Sequence, residues 1–121
     1  MDYSAQGIAP LLESGADQRR NPRKPLRLKV SLGTARNGIV QGQTRDISQD
    51  GLSVIIPVSL ANNMVCAVRF EVLVDGQVVR FSGHGKVIHC SLAGMEGFRI
   101  GMKLHLDDAK MQASLEKFMS L

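Results

Sequence analysis

From Pro25 onward, apolar residues recur at every second position, in runs separated by glycine, asparagine and aspartate. Leu26, Leu28, Val30 and Leu32 alternate with Arg27, Lys29 and Ser31, the pattern of a strand with one face in a core and one in water. Arg36-Asn37-Gly38 predicts a tight turn, because Asn-Gly supplies the positive φ that hairpins need. Ile39 to Ile47 reads as a second strand with a polar middle, and Leu52 to Ile56 as a short apolar third, closed by Pro57. Met64 to Val74 and Gln77 to Cys90 flank Asp75-Gly76, the dipeptide of a type I′ hairpin. Gly83 and Gly85 interrupt the second arm and predict a bulge or sharp bend, of the kind that lets a sheet curl into a barrel. Phe98, Ile100, Met102 and Leu104 alternate with Arg99, Gly101, Lys103 and His105 as a sixth strand. The expected fold is mainly β, with six strands antiparallel wherever connections are short.

After Leu106 the period changes to that of a helix. Asp107 is the expected N-cap, Asp108 favours the positive end of the helix dipole, and Leu106 with Met111 would form a hydrophobic staple. Met111, Leu115, Phe118 and Met119 fall on one face, so a C-terminal helix would cover one barrel opening or face, with these side chains as core. Upstream, residues 1–17 gather only Ile8, Leu11 and Leu12 as an apolar cluster and read as a loose tail or short helix. Residues 18–121 are the expected domain.

The 121 residues suffice for one core and are too few for two. No run of 18 apolar residues occurs, and no charged flank precedes an apolar stretch at the N-terminus. A cytoplasmic protein is therefore expected. Cys66 and Cys90 make no disulfide framework or metal pair and are expected as reduced thiols.

The formal charge is +4, with 15 basic residues against 11 acidic ones and only five aromatics, four Phe and one Tyr. That balance calls for an anionic partner but speaks against a stacking platform for a nucleic-acid polymer. The charge is also concentrated. Arg19, Arg20, Arg23, Lys24, Arg27 and Lys29 lie between Gln18 and Lys29 with no acid among them. Pro22 and Pro25 bar their preceding residues from helical geometry, so this segment is a loop. A guanidinium fork on such a loop matches phosphate oxygens, or the O6/N7 edge of guanine.

A second constellation stands at Asp46-Ile47-Ser48-Gln49-Asp50-Gly51. In extended chain, Asp46 and Ser48 would share a side roughly 6.5 Å apart, with Ile47 pointing into the core. Gly51 would let the backbone turn or approach a ligand closely. Taken alone, the segment also fits a satisfied turn.

Arg19-x-x-x-Arg23 followed by Asp46-x-Ser48-x-x-Gly51 resembles the signature of the PilZ family, bacterial receptor domains for cyclic di-GMP. Gly97-Phe98-Arg99-Ile100-Gly101-Met102 is similar to the last barrel strand of such domains. The resemblance implies a six-stranded antiparallel barrel with a C-terminal helix, the architecture that the strand count reaches independently. It implies that Arg19 and Arg23 bind guanine edges and phosphates, and that Asp46, Ser48 and Gly51 on the barrel surface hold another guanine. Arg20 and Arg45 are added as helpers by charge and proximity, and His89 is a third candidate helper if it stacks on the ligand. Two positions depart from the family pattern: Gln18 stands where many members have a further arginine, and His89 where many have a tryptophan near the end of the fifth strand.

Counted alternately from Val79, Phe81 and Val87, His89 falls on the apolar face, as a core histidine, unless a bend at Gly83 and Gly85 changes the register. His84 and Cys90 share a face on an unbent strand but lie roughly 20 Å apart, and His105 has no partner at ligand spacing, so no metal site is expected. No nucleophile stands beside a base, and catalysis is not expected. The functional expectation is a cyclic di-GMP receptor whose 18–24 loop is mobile and folds over the dinucleotide against the DxSxxG surface. The signal would pass to a protein partner, for which the family suggests pilus, flagellar or polysaccharide machinery, in motility or biofilm formation. The alternative is a PilZ-like adaptor that works by protein contacts without the nucleotide.

Overall fold

The computed structural model describes residues 23–120. Seven strands and one helix follow in order: β1 (Lys24–Pro25), β2 (Lys29–Thr34), β3 (Gly38–Ile47), β4 (Gly51–Ile56), β5 (Val65–Val74), β6 (Gln77–Leu92), β7 (Phe98–Leu106) and α1 (Ala109–Met119). A single 3₁₀ turn, Gly94–Glu96, joins β6 to β7. All neighbouring strands are antiparallel, in the order β1-β3-β2-β5-β6-β7-β4, and β3 also pairs with β4. That last pairing closes β2 to β7 into a six-stranded barrel, with β1 as a short bridge outside the ring.

The strands form where alternation predicts them. β5 alternates strictly between exposed and buried residues, and Asp75 (φ 53°) with Gly76 (φ 79°) make the type I′ turn into β6. The β2–β3 turn differs from the Asn-Gly expectation. Thr34 pairs with Gly38, and the positive φ falls on Gly38 (65°) and not on Asn37. The Thr34 hydroxyl holds that turn, accepting from Asn37 N and donating to Gly38 O, both at 2.9 Å.

The first strand is broken where the alternation ran unbroken from Leu26. The Thr44 side chain, 0% exposed, inserts there: its hydroxyl donates to Leu26 O at 2.6 Å and accepts from Leu28 N at 2.8 Å. A side chain thus replaces two ladder contacts and splits β1 from β2.

Two single-residue bulges set which residues face outward. On β3, Thr44 pairs with Val54 and Asp46 with Ser53, leaving Arg45 as the extra residue. Val40 and Thr44 point inward, so regular alternation would bury Asp46; the bulge turns Ile47 inward instead. On β6, Val87 pairs with Met102 and His89 with Gly101, leaving Ile88 as the extra residue. His89 is therefore exposed and not a core histidine, and Cys90, half-buried, no longer shares a face with His84. The expected irregularity at Gly83 and Gly85 lies farther along the strand, because both glycines keep regular register. Their role is close approach: a Cβ on Gly83 would stand 2.1 Å from His105 O, and one on Gly85 2.7 Å from Met102 Sδ.

Inside the barrel lie Val30, Leu32, Ile47, Val54, Val68 and Ile100, with Phe70 and Phe81 stacked at a centroid distance of 5.2 Å. α1 contributes Leu115 (0% exposed) and Phe118 to this core, as its periodicity predicts. Its N-cap is Asp108, one residue later than expected, with the carboxylate accepting from Met111 N at 2.8 Å. That shift removes the staple geometry, although Leu106 and Met111 both pack on the core. Asp107 is used otherwise: its carboxylate accepts from the Ser82 hydroxyl at 2.7 Å. Among the described residues, Cys66 and Cys90 are free thiols and no helix is long and apolar enough to cross a membrane. The predicted tail, residues 1–17, lies outside the described residues.

Candidate ligand site

The two-residue bridge β1 decides where the basic segment meets the barrel. Lys24 pairs with Ile47 and Pro25 with Asp46, so the residue before them runs beside the turn that follows β3. Arg23 reaches that turn. Its Nη1 donates to Asp46 Oδ1 at 2.6 Å. A Cβ added to Gly51 would stand 3.4 Å from Arg23 Nη2 and 3.3 Å from Ser48 Oγ, so a side chain at Gly51 would press on both. Lys24 also holds the segment down, with its ammonium 5.0 Å from the ring centroid of Phe118 on α1.

Asp46 is shared. Arg99 on β7 donates from Nη2 to Asp46 Oδ2 at 3.0 Å and from Nε to Ser53 Oγ at 3.0 Å. Two guanidinium groups therefore face one carboxylate, whose side chain is 19% exposed. Register extends the surface further: Asp46, Ser53, Gly101 and His89 are successive cross-strand partners on β3, β4, β7 and β6. Gly101 leaves this row without a side chain between Ser53 and His89. β4 is buried on both faces, as Ser53 and Ile55 are 6% and 9% exposed. Arg99, the cross-strand partner of Ile55 and bonded to Ser53 Oγ, lies on that outer face with its charged end toward water.

Other expected site residues take different places. Ser48 is 2% exposed, follows the end of β3, and donates through Oγ to Asp50 Oδ1 at 3.2 Å. Its backbone N donates to Gly51 O at 2.9 Å. The expectation of a surface hydroxyl is thus corrected: Ser48 builds the turn on which Gly51 and Arg23 meet. Arg45, the bulged residue, donates to Glu96 Oε1 at 2.6 Å with its side chain 17% exposed, and does not join the Asp46 cluster. His84 and His105 are direct cross-strand partners, which the spacing did not reveal, yet among the described residues no group of three ligands is placed for a metal. Arg19 and Arg20 lie outside the described residues.

The arrangement offers a carboxylate that accepts and guanidinium groups that donate, with one positive charge in excess. Lys103, opposite Gly51, adds another. This suits an anion that also carries donor edges.

The PilZ domain family model matches residues 17–120, a span that takes in both motifs. The chain belongs to the PilZ domain family. Solved structures share its fold, isolated PilZ domains among them. The Bacillus subtilis inhibitor of motility MotI/DgrA superposes with a TM-score of 0.74 at 13% identity, covering 85% of this chain and 50% of that one. The PilZ domain of Escherichia coli YcgR with c-di-GMP gives 0.61 at 17% identity, over 85% and 89% of the two chains. The PilZ domain of CeSA from a cellulose-synthesizing bacterium gives 0.54 at 21%, over 82% and 95%. The chain thus spans half the length of MotI/DgrA and most of the isolated PilZ domains. No curated protein matched the sequence.

Within this PilZ barrel, Arg99 is the site residue that sequence reasoning passed over. Its alternation shows only that it faces outward. What puts it on Asp46 is barrel closure, which sets β7 beside β4 and β4 beside β3.

Proposed function

We propose that this PilZ domain binds cyclic di-GMP at the Arg23–Asp46–Gly51 surface and acts as a receptor that changes a protein contact. The observation that carries this reading is the placement of Arg23, from the first motif, on Asp46 and Gly51 of the second. A guanine offers N–H donors that fit the Asp46 carboxylate, and an O6/N7 edge that fits a guanidinium fork. The ligand's phosphates take a guanidinium equally well.

Binding is then an exchange. The Asp46 oxygens are engaged by Arg23 and Arg99, so a guanine that takes one of them releases Arg23 toward a phosphate or the guanine O6/N7 edge. Arg99, also anchored on Ser53, keeps the carboxylate oriented. Arg19 is the further arginine that would close over the ligand. The expected mobility of residues 18–24 narrows at its end, because Arg23 and Lys24 are docked by β1 and by Phe118. A change in that docking reaches the C-terminal helix through Lys24, a route by which ligand could alter a partner surface. A cytoplasmic role in bacterial motility or biofilm control, through pilus, flagellar or polysaccharide machinery, fits such a receptor.

Calorimetry with cyclic di-GMP tests the reading. Saturable heat is expected, with Arg23→Ala costing about 1–3 kcal/mol, as for a lost bidentate contact to guanine. No saturable heat at a few tens of micromolar protein sinks the receptor reading in favour of the nucleotide-independent adaptor.

A further inference from the structure

The outer face of β6 and β7 carries a second positive surface whose charges are not spent. Register sets Lys86 directly opposite Lys103 and His84 directly opposite His105, with His89 opposite Gly101. All five side chains are exposed. Residues facing each other across neighbouring strands have Cβ atoms about 5 Å apart, and like charges so placed repel. Among the described residues neither Lys86 nor Lys103 makes an ion pair that would relieve this repulsion. The two acids nearest in register accept serine hydroxyls and form no ion pair with either lysine. Asp50 takes the Ser48 hydroxyl at 3.2 Å, and Asp107 takes the Ser82 hydroxyl at 2.7 Å while standing 4.0 Å from His84.

We propose that the Lys86–Lys103 pair is the centre of a docking surface for a short acidic segment of a partner protein. A carboxylate between the two ammonium groups would turn their repulsion into a shared attraction. The charge is small, two lysines flanked by histidines, whereas proteins that hold nucleic-acid polymers neutralise about 6–10 phosphates. Among the described residues the face also lacks the Phe, Tyr or Trp platforms on which successive bases stack, since Phe70, Phe81 and Phe118 are buried and Phe98 packs on the core. Both lysines lie on strands paired on both sides, so no free strand edge is offered there and recognition must come from side chains. Lys103 is the partner of Gly51, against which Arg23 lies, so the docked segment borders the candidate dinucleotide site and shares Lys103 with its rim.

The test uses the whole chain and a fluorescein-labelled deca-glutamate peptide, followed by anisotropy, with the contact surface mapped from amide shifts of the ¹⁵N-labelled protein. Saturable binding is expected that weakens as salt rises from about 50 to about 300 mM, with shifts centred on residues 84–89 and 101–105. Lys86→Gln combined with Lys103→Gln should weaken binding about tenfold, since each exposed ion pair contributes modestly. That variant keeps its fold, because the change removes a repulsion, and its unfolding midpoint is equal or higher. Lys29→Gln with Arg36→Gln removes the same charge elsewhere and should leave affinity within about twofold. The proposal is overturned by an absence of binding, by an equal loss in the Lys29 and Arg36 variant, by shifts centred on Arg23, or by tighter binding of a DNA duplex of equal charge.

Discussion

Arg23 and Asp46 stand 23 positions apart in the chain and meet on the barrel surface, where Nη1 donates to Oδ1 at 2.6 Å. The pair ties the proline-broken basic segment to the end of β3, and so joins two motifs that are each ambiguous alone. With the Arg23 side chain 34% exposed, the bond is accessible to an incoming ligand. Ion pairs at such partly exposed places contribute about 1 kcal/mol or less, which makes them exchangeable.

Replacing the carboxylate while keeping its shape isolates its role. Asp46→Asn leaves Arg23 and Arg99 facing one another without a counter-charge. Urea denaturation should show a loss of about 1 kcal/mol or less. Calorimetry should show a larger loss of cyclic di-GMP affinity, about 1–3 kcal/mol, because a carboxylate acceptor facing guanine N–H groups is gone. Equal affinity in the Asn variant would place the nucleotide elsewhere.

Arg99 acts on the ligand through Asp46 and Ser53. Arg99→Ala should therefore weaken cyclic di-GMP binding about threefold to tenfold, the range of one net hydrogen bond, because Arg99 acts through Asp46 and not on the ligand itself. Arg99→Lys should recover only part of this, since an ammonium cannot reproduce two fork contacts at once. A purely structural role would lower the unfolding midpoint and leave affinity intact, so both are measured on the same variants.

The barrel was legible because its strands obey a period of two and its hairpins carry their turn residues, as at Asp75-Gly76. The errors lie where a local device breaks that period. Counting by twos buries His89, and only the extra residue Ile88 puts it outside. A bulge depends on pairing with another strand, which the sequence of one strand does not contain. Arg23, Asp46 and Gly51 could be singled out because both motifs sit in local segments, and the structure brings the three together. Arg99 and the His84–His105 pair were missed because their neighbours are set by barrel closure.

Thr44 links the fold to the site. Its buried hydroxyl replaces the ladder between Leu26 and Leu28, directly after the bridge that docks Arg23. Thr44→Val keeps the shape but leaves Leu26 O and Leu28 N without that partner, a cost of about 1–3 kcal/mol. The same variant should bind cyclic di-GMP more weakly than its stability loss explains, because the segment carrying Arg23 loses two of its bonds to β3 and keeps only the backbone bonds of Leu26 N to Arg45 O and Thr44 N to Leu28 O beside the β1 bridge. Amide exchange at Leu28 checks the cause: protection there should fall more than at Phe70 in the core.

Alkaline pH gives a separate test of the core. Burial at 1% exposure raises the Cys66 thiol above its ordinary value of 9.0, because the thiolate loses hydration inside the barrel. Well below pH 9.0 the thiol is protonated in both folded and unfolded chains and does not bias folding. Above it the unfolded chain ionises first and binds fewer protons than the folded one, so stability falls as pH rises. Urea midpoints should thus decline more steeply above pH 9 in the natural protein than in Cys66→Val. A thiol reagent near neutral pH should modify Cys90, which is half-buried, well before Cys66, which becomes reactive only when the barrel opens. Equal reaction rates for the two thiols in the folded protein would contradict this account of the barrel interior.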